Sequence, residues 1–143
     1  KAFNMGIKFL DDLVEEQENQ TVIKLKKFYF DKGQSIITPE IAQELDKVVD
    51  VMTRFPQLQL RVESHTDSRG GSSANFTLSQ KRADAIKKYL IQEGVPAGSI
   101  LYSIGYGEEK LLNGCKNGVF CLDMLHSKNE RSLIVVLNYN LLY

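Results

Sequence analysis

Net charge is missing from this 143-residue chain, because eighteen Lys and Arg are matched by eighteen Asp and Glu. With no local basic cluster either, the balance argues against a nucleic-acid binder working through bulk electrostatics. Long hydrophobic runs are missing too. The longest unbroken aliphatic stretch, Leu133 to Leu137, is five residues, far short of the roughly 20 that cross a bilayer. No direct membrane insertion is expected. Catalytic signatures are equally scarce: there is no G-x-S-x-G elbow, no H-E-x-x-H and no Cys with a convincing His partner. Spacing alone leaves a Ser-His-Asp triad around His65 and Asp67 open, since such groups assemble in space, but no signature supports one. Gly105-x-Gly107 lacks the third glycine of a dinucleotide fingerprint and opens no helix. No enzyme activity, cofactor or metal is expected.

Cysteine is sparse, with Cys115 and Cys121 the only pair. They enclose Lys116 to Phe120, a short stretch with a glycine that can bend back on itself. A disulfide here is the preferred reading and implies an oxidising compartment. Free thiols and an incomplete metal set with His126 are the alternatives. The chain opens on Lys1 and reads as a piece of a longer polypeptide, so a missing leader says nothing about compartment.

What is present is ordinary. A composition 43% hydrophobic and 25% charged, in a chain the length of one domain, predicts a globule with a real core. Residues 1–20 are expected to form a lead-in: Phe3, Ile7, Leu10 and Val14 at helical spacing, then a polar, solvated linker from Glu15 to Gln20. The domain proper is placed at 21–143. Val22 to Phe30 reads as a strand with a bulge at Lys27-Phe28. Thr38 and Pro39 offer an N-cap and first helical position, followed by the stripe Ile41, Leu45, Val48, Val49 and Met52, with Pro56 as the stop. Leu58, Leu60 and Val62 alternate as a strand that runs into the polar loop 64–73. A second helix is expected over Leu78 to Glu93 with Gly94 behind it. Ile100, Tyr102 and Ile104 form a third strand, and Leu133 to Leu137 a last one buried on both faces. The order β-α-β-α-β-β predicts an α/β (α+β) two-layer sandwich, with two helices on one face of a mixed sheet.

Binding groups collect in loops held by a rigid sheet. Asp67 follows the second strand, and Lys81-Arg82 falls near the expected start of the second helix, where cations are mildly unfavourable. On spacing alone, a binding Arg and an Arg merely paired with a nearby carboxylate fit equally.

Several motifs at fixed spacing point further. Ser64-His65-Thr66-Asp67-Ser68-Arg69-Gly70 is followed by Asn75, eight residues after Asp67, then by Leu78-Ser79 and Arg82-Ala83, with Arg82 fifteen residues after Asp67. With Phe30-Asp31, Gly105-Tyr106-Gly107-Glu108 and Asn129-x-Arg131, this pattern resembles the OmpA C-terminal-like family across about residues 21–138. That family includes the peptidoglycan-associated lipoprotein and the cell-wall domains of flagellar stators. Two departures stand out: Ser64 in place of Gly, and Glu130 where the family has Arg.

The resemblance implies non-covalent binding of peptidoglycan through the meso-diaminopimelate of its stem peptide, in the periplasm, as an anchor for a larger outer-membrane-associated protein. It implies that Asp67 accepts from the ligand ammonium and that Arg82 holds its carboxylate. Thr66 and Asn75 would shape the loop, Phe30 and Asp31 the opposite wall, and Leu78 the floor. Arg131 would brace the site from the last strand, or only pair with Asp31 or Asp67. Other envelope proteins are expected partners. The rival readings are a dimerising stator-type anchor of a motor or secretion machine, a cell-wall hydrolase, and a protein-interaction domain without wall binding.

Overall fold

The computed structural model describes residues 10–142 of the chain. Phe3 and Ile7 of the expected lead-in helix therefore lie outside the described residues. Residues 10–13 are helical, with Leu10 buried. The polar stretch after them, expected as a solvated linker, is instead a β-hairpin. Strands β1 (Val14–Gln17) and β2 (Gln20–Ile23) pair antiparallel through a two-residue turn. Both turn residues hold positive φ, Glu18 at 51° and Asn19 at 61°. That is the conformation a two-residue hairpin needs to match strand twist.

β2 ends far short of Phe30. Beyond Ile23 the chain leaves the sheet, and the Lys26 amide donates to the buried Glu44 carboxylate of the next helix at 2.7 Å. A carboxylate that captures this amide competes with a continued ladder. Helix α1 (Pro39–Arg54) matches its expectation, with the Thr38 hydroxyl accepting from the Ile41 amide. It buries Ile41, Leu45, Val48, Val51 and Met52.

β3 (Leu60–His65) leads through the loop to helix α2 (Ser72–Gln92). This helix begins six residues before Leu78, so Arg82 lies in its middle and not at its N-terminus. The expected clash of Lys81-Arg82 with a helix dipole does not arise. β4 (Ile100–Gly107) runs parallel to β3. A register shift between Leu60 and Arg61 pairs Tyr102 with Arg61 and leaves its side chain 54% exposed, so the simple alternation through Tyr102 fails. Short α3 (Asp123–Ser127) precedes β5 (Arg131–Val136).

The sheet order is β1-β2-β5-β3-β4, with β5 antiparallel to both β2 and β3. β5 is thus central and buried on both faces, as its continuous apolar run predicts. Ile134 and Val136 join Leu60 and Val62 in one core with α1 and with Ala83, Ile86 and Leu90 of α2. Leu133 and Val135 pack with Val22 in a separate cluster. The mixed sheet with helices against one face is the expected two-layer arrangement. No helix among the described residues is long and apolar enough to cross a membrane.

Cys115 and Cys121 form a disulfide, with Cα atoms 5.9 Å apart. The bridge closes a small loop and should contribute about 2 kcal/mol by restricting the unfolded chain. Reduction should lower the urea midpoint by a corresponding amount while leaving far-UV circular dichroism unchanged.

Candidate functional site

The signature residues divide into those that build the platform and those that face a cavity. Gly105 lets α2 lie against β4: a Cβ there would come within 2.1 Å of the Gln80 backbone nitrogen. Ser79 then ties the two elements together, its hydroxyl accepting from the Gly107 amide at 2.8 Å and donating to the Phe76 carbonyl. Gly107 takes φ 57° and turns the chain back over Phe76. Ala83, fully buried, lets the middle of α2 reach the core. His65 is buried, stacks on Tyr106 with ring centroids 5.0 Å apart, and contacts Glu63 through Nε2 at 3.2 Å. Burial pushes the Glu63 carboxyl up, but hydrogen bonds to His65 and Arg61 bring it below its ordinary value overall. These are packing and hydrogen-bonding roles.

The loop between β3 and α2 is held from several sides. The Thr66 amide donates to the Gly107 carbonyl and its hydroxyl to the Asp67 carbonyl, both at 2.9 Å. Asn75 Nδ2 donates to the carbonyls of Asp67 and Arg69 and to Glu108 Oε1. Asn75 therefore fastens loop carbonyls. Ser68 donates to the Cys115 carbonyl, which joins this loop to the disulfide segment.

On this platform opens a cavity of about 540 Å³ lined by Phe30, Asp67, Asn75, Leu78, Arg82 and Arg131, six of the eight residues singled out in the sequence. Thr66 is buried behind its wall, and the Asp31 side chain is exposed while its carbonyl accepts from Arg82. Arg69 and Glu130 also line it. Sequence spacing does not single out Arg69, and Glu130 stands out only as a departure from the family pattern.

Asp67 is buried and holds Arg69 on both oxygens: the Arg69 amide at 2.8 Å on Oδ1, Nε at 3.2 Å and Nη2 at 2.8 Å on Oδ2. Arg69 also reaches Asp123 at 2.9 Å. Donating to the Asp67 carboxylate raises the Arg69 guanidinium above its ordinary value. Arg82 has a side chain only 5% exposed. It donates through Nε to the Gln34 carbonyl at 2.8 Å and through Nη2 to the Asp31 carbonyl at 3.2 Å, with Phe30 beneath its guanidinium at 5.1 Å. Nη1 meets Glu130 Oε2 at 3.0 Å. Burial pulls Arg82 below its ordinary value, opposed by Glu130, and pushes Glu130 up against the pull of Arg82. Arg131 pairs with neither Asp31 nor Asp67. Its guanidinium is engaged by both oxygens of Glu18 in the hairpin, at 2.7 and 2.8 Å.

A carboxylate and a guanidinium lining one cavity can hold a compact zwitterion. Among the described residues no group of His, Cys, Asp and Glu is placed to hold a metal ion.

Residues 29–119, from the first wall of the cavity to the disulfide loop, match the OmpA family. The chain belongs to the OmpA family. This OmpA-family chain is 32% identical over 130 residues to the peptidoglycan-associated lipoprotein of Buchnera aphidicola, covering 88% of the chain and 71% of that protein. It is 45% identical over 83 residues to the peptidoglycan-associated lipoprotein of Haemophilus influenzae, covering 58% of the chain and 52% of that protein. The chain also spans only 62% of the peptidoglycan-associated lipoprotein of Brucella melitensis, at 32% identity over 77% of the chain. Among solved structures it matches the peptidoglycan-associated lipoprotein of Burkholderia pseudomallei at 25% identity and TM-score 0.66, covering 77% of the chain and 89% of that structure. A putative MotB-like protein of Desulfovibrio vulgaris, at 16% identity and TM-score 0.73 over 94% of the chain and 90% of that structure, shares the fold.

Proposed function

We propose that this domain binds peptidoglycan non-covalently through the diaminopimelate of the stem peptide and anchors a larger, outer-membrane-associated protein to the wall. The observation that carries the reading is Asp67 and Arg82 facing one cavity at the spacing of the family signature. The far end of meso-diaminopimelate bears an ammonium and a carboxylate on one carbon. Asp67 accepts from the ammonium, and Arg82 offers a planar guanidinium whose position is fixed by two carbonyls and the Phe30 ring. Such a fork suits a carboxylate in a way a lysine does not. The named relatives, peptidoglycan-associated lipoproteins and an outer membrane porin F of Pseudomonas fluorescens, support a wall-facing, outer-membrane context. The disulfide supports an oxidising compartment, the periplasm. The role is binding, with no bond made or broken.

Co-sedimentation with purified diaminopimelate-type sacculi tests it. Wild type should pellet with the wall, and Asp67→Ala should lose at least about tenfold in affinity, the equivalent of one charge-assisted hydrogen bond. Retention of folded Asp67→Ala at wild-type levels would move the site elsewhere.

A further inference from the structure

Asp67 and Arg82 are both already occupied by the chain itself, but on unequal terms. Asp67 is held by Arg69, whose side chain is about half exposed and has a second carboxylate, Asp123, within reach. An ammonium that takes Asp67 leaves Arg69 paired and near water, where an exchanged ion pair is worth little. The guanidinium end is different. Two of the three Arg82 nitrogens are committed to the neutral carbonyls of Gln34 and Asp31, and the third is the one with an ionic partner, Glu130. Glu130 makes no other ion pair among the described residues, and its side chain is 28% exposed. A ligand carboxylate that takes the two remaining N–H groups of the guanidinium sits against the like charge of Glu130, and one that displaces Glu130 strands a half-buried carboxylate in the cavity it shares with the buried Asp67. The gain from the new carboxylate is offset by the loss of the old one.

Resting on the reading above, we infer that Glu130 sets the ligand preference of the site: it competes with the ligand carboxylate for Arg82 and so levels diaminopimelate with diamino acids that lack that group, lysine or ornithine. A ligand carrying only a terminal ammonium uses Asp67 and leaves the Arg82–Glu130 pair intact.

The test is binding of two labelled stem tetrapeptides, identical except for meso-diaminopimelate or L-lysine at the third position, followed by fluorescence anisotropy. Wild type should bind them within about threefold of each other, a gap under 0.7 kcal/mol. Glu130→Gln should tighten the diaminopimelate peptide about tenfold and leave the lysine peptide unchanged. Glu130→Ala, with circular dichroism as a check on folding, should open the same gap. A wild type that already prefers diaminopimelate more than about tenfold, or variants that leave the ratio unmoved, would overturn the inference alone. Failure of wild type and both variants to bind either peptide would sink the wall-binding reading and this inference with it.

Discussion

Replacing Glu18 by alanine should destabilise the domain by about 3 kcal/mol, the scale expected when one partner of a buried ion pair is removed. The Arg131 side chain is only 5% exposed, against 24% for Glu18, and Glu18 meets its guanidinium with both carboxylate oxygens. Without Glu18 the guanidinium keeps the carbonyls of Asn129 and Lys110. Among the described residues it has no other ion-pair partner. The pH dependence has a definite sign. Arg131 holds the Glu18 carboxyl below its ordinary value of 4.5, so the unfolded chain takes up its proton first as pH falls. The contribution is therefore fully present above about pH 4.5 and lost as pH drops through the lower folded value. Urea denaturation at pH 7 and pH 3 should show the gap between wild type and Glu18→Ala at the first and a smaller one at the second. An equal gap at both would mean that the hairpin turn, and not the ion pair, carries the effect.

The same residue shows why part of this fold was hidden from a reading of the chain. Glu15 to Gln20 is polar throughout, and an edge hairpin can be polar because one of its edges faces water. Its turn carries no glycine, and Glu18 takes a positive φ that costs a non-glycine residue about 1 kcal/mol. The compensating contact, with Arg131, is made 113 residues away and has no local trace. The start of α2 was hidden for a related reason. Ser72 to Thr77 shows no apolar period, and Gly71 at the cap makes no side-chain hydrogen bond. α1 was legible because Thr38, Pro39 and an apolar stripe all agree. β5 was legible because its unbroken apolar run suits only a strand covered on both faces. At the site, Asp67, Arg82, Asn75, Phe30 and Leu78 could be read from motif spacing, while Arg69 could not, because an Arg in a polar loop resembles any solvated one. Only geometry shows Asp67 and Arg82 occupied by Arg69 and Glu130.

Gly105→Ala should be at least as damaging as loss of Glu18, at about 3 kcal/mol. The added Cβ would sit 2.1 Å from the Gln80 nitrogen and 2.4 Å from the Ser79 carbonyl carbon. These are backbone atoms of a helix, so no side chain can rotate aside. Overpacking in a fitted core costs about 1–3 kcal/mol, and more when the obstacle cannot move. The strain should spread to the site, because Ser79 and Gln80 lie within one turn of Arg82. Ser79 also holds the Gly107 amide, and Gln80 accepts from the Gly105 amide at 2.9 Å. If α2 moves off β4, the Arg82 guanidinium should leave the Gln34 and Asp31 carbonyls that fix it, and wall binding should weaken even in the fraction that folds. Gly98→Ala is the matching control, since a Cβ there meets nothing within 4 Å. Thermal unfolding and sacculus co-sedimentation of the two variants together check the argument. A Gly105→Ala protein with wild-type stability would show that α2 and β4 can part without loss. One that is destabilised yet binds normally would show that Arg82 keeps its place independently of that contact.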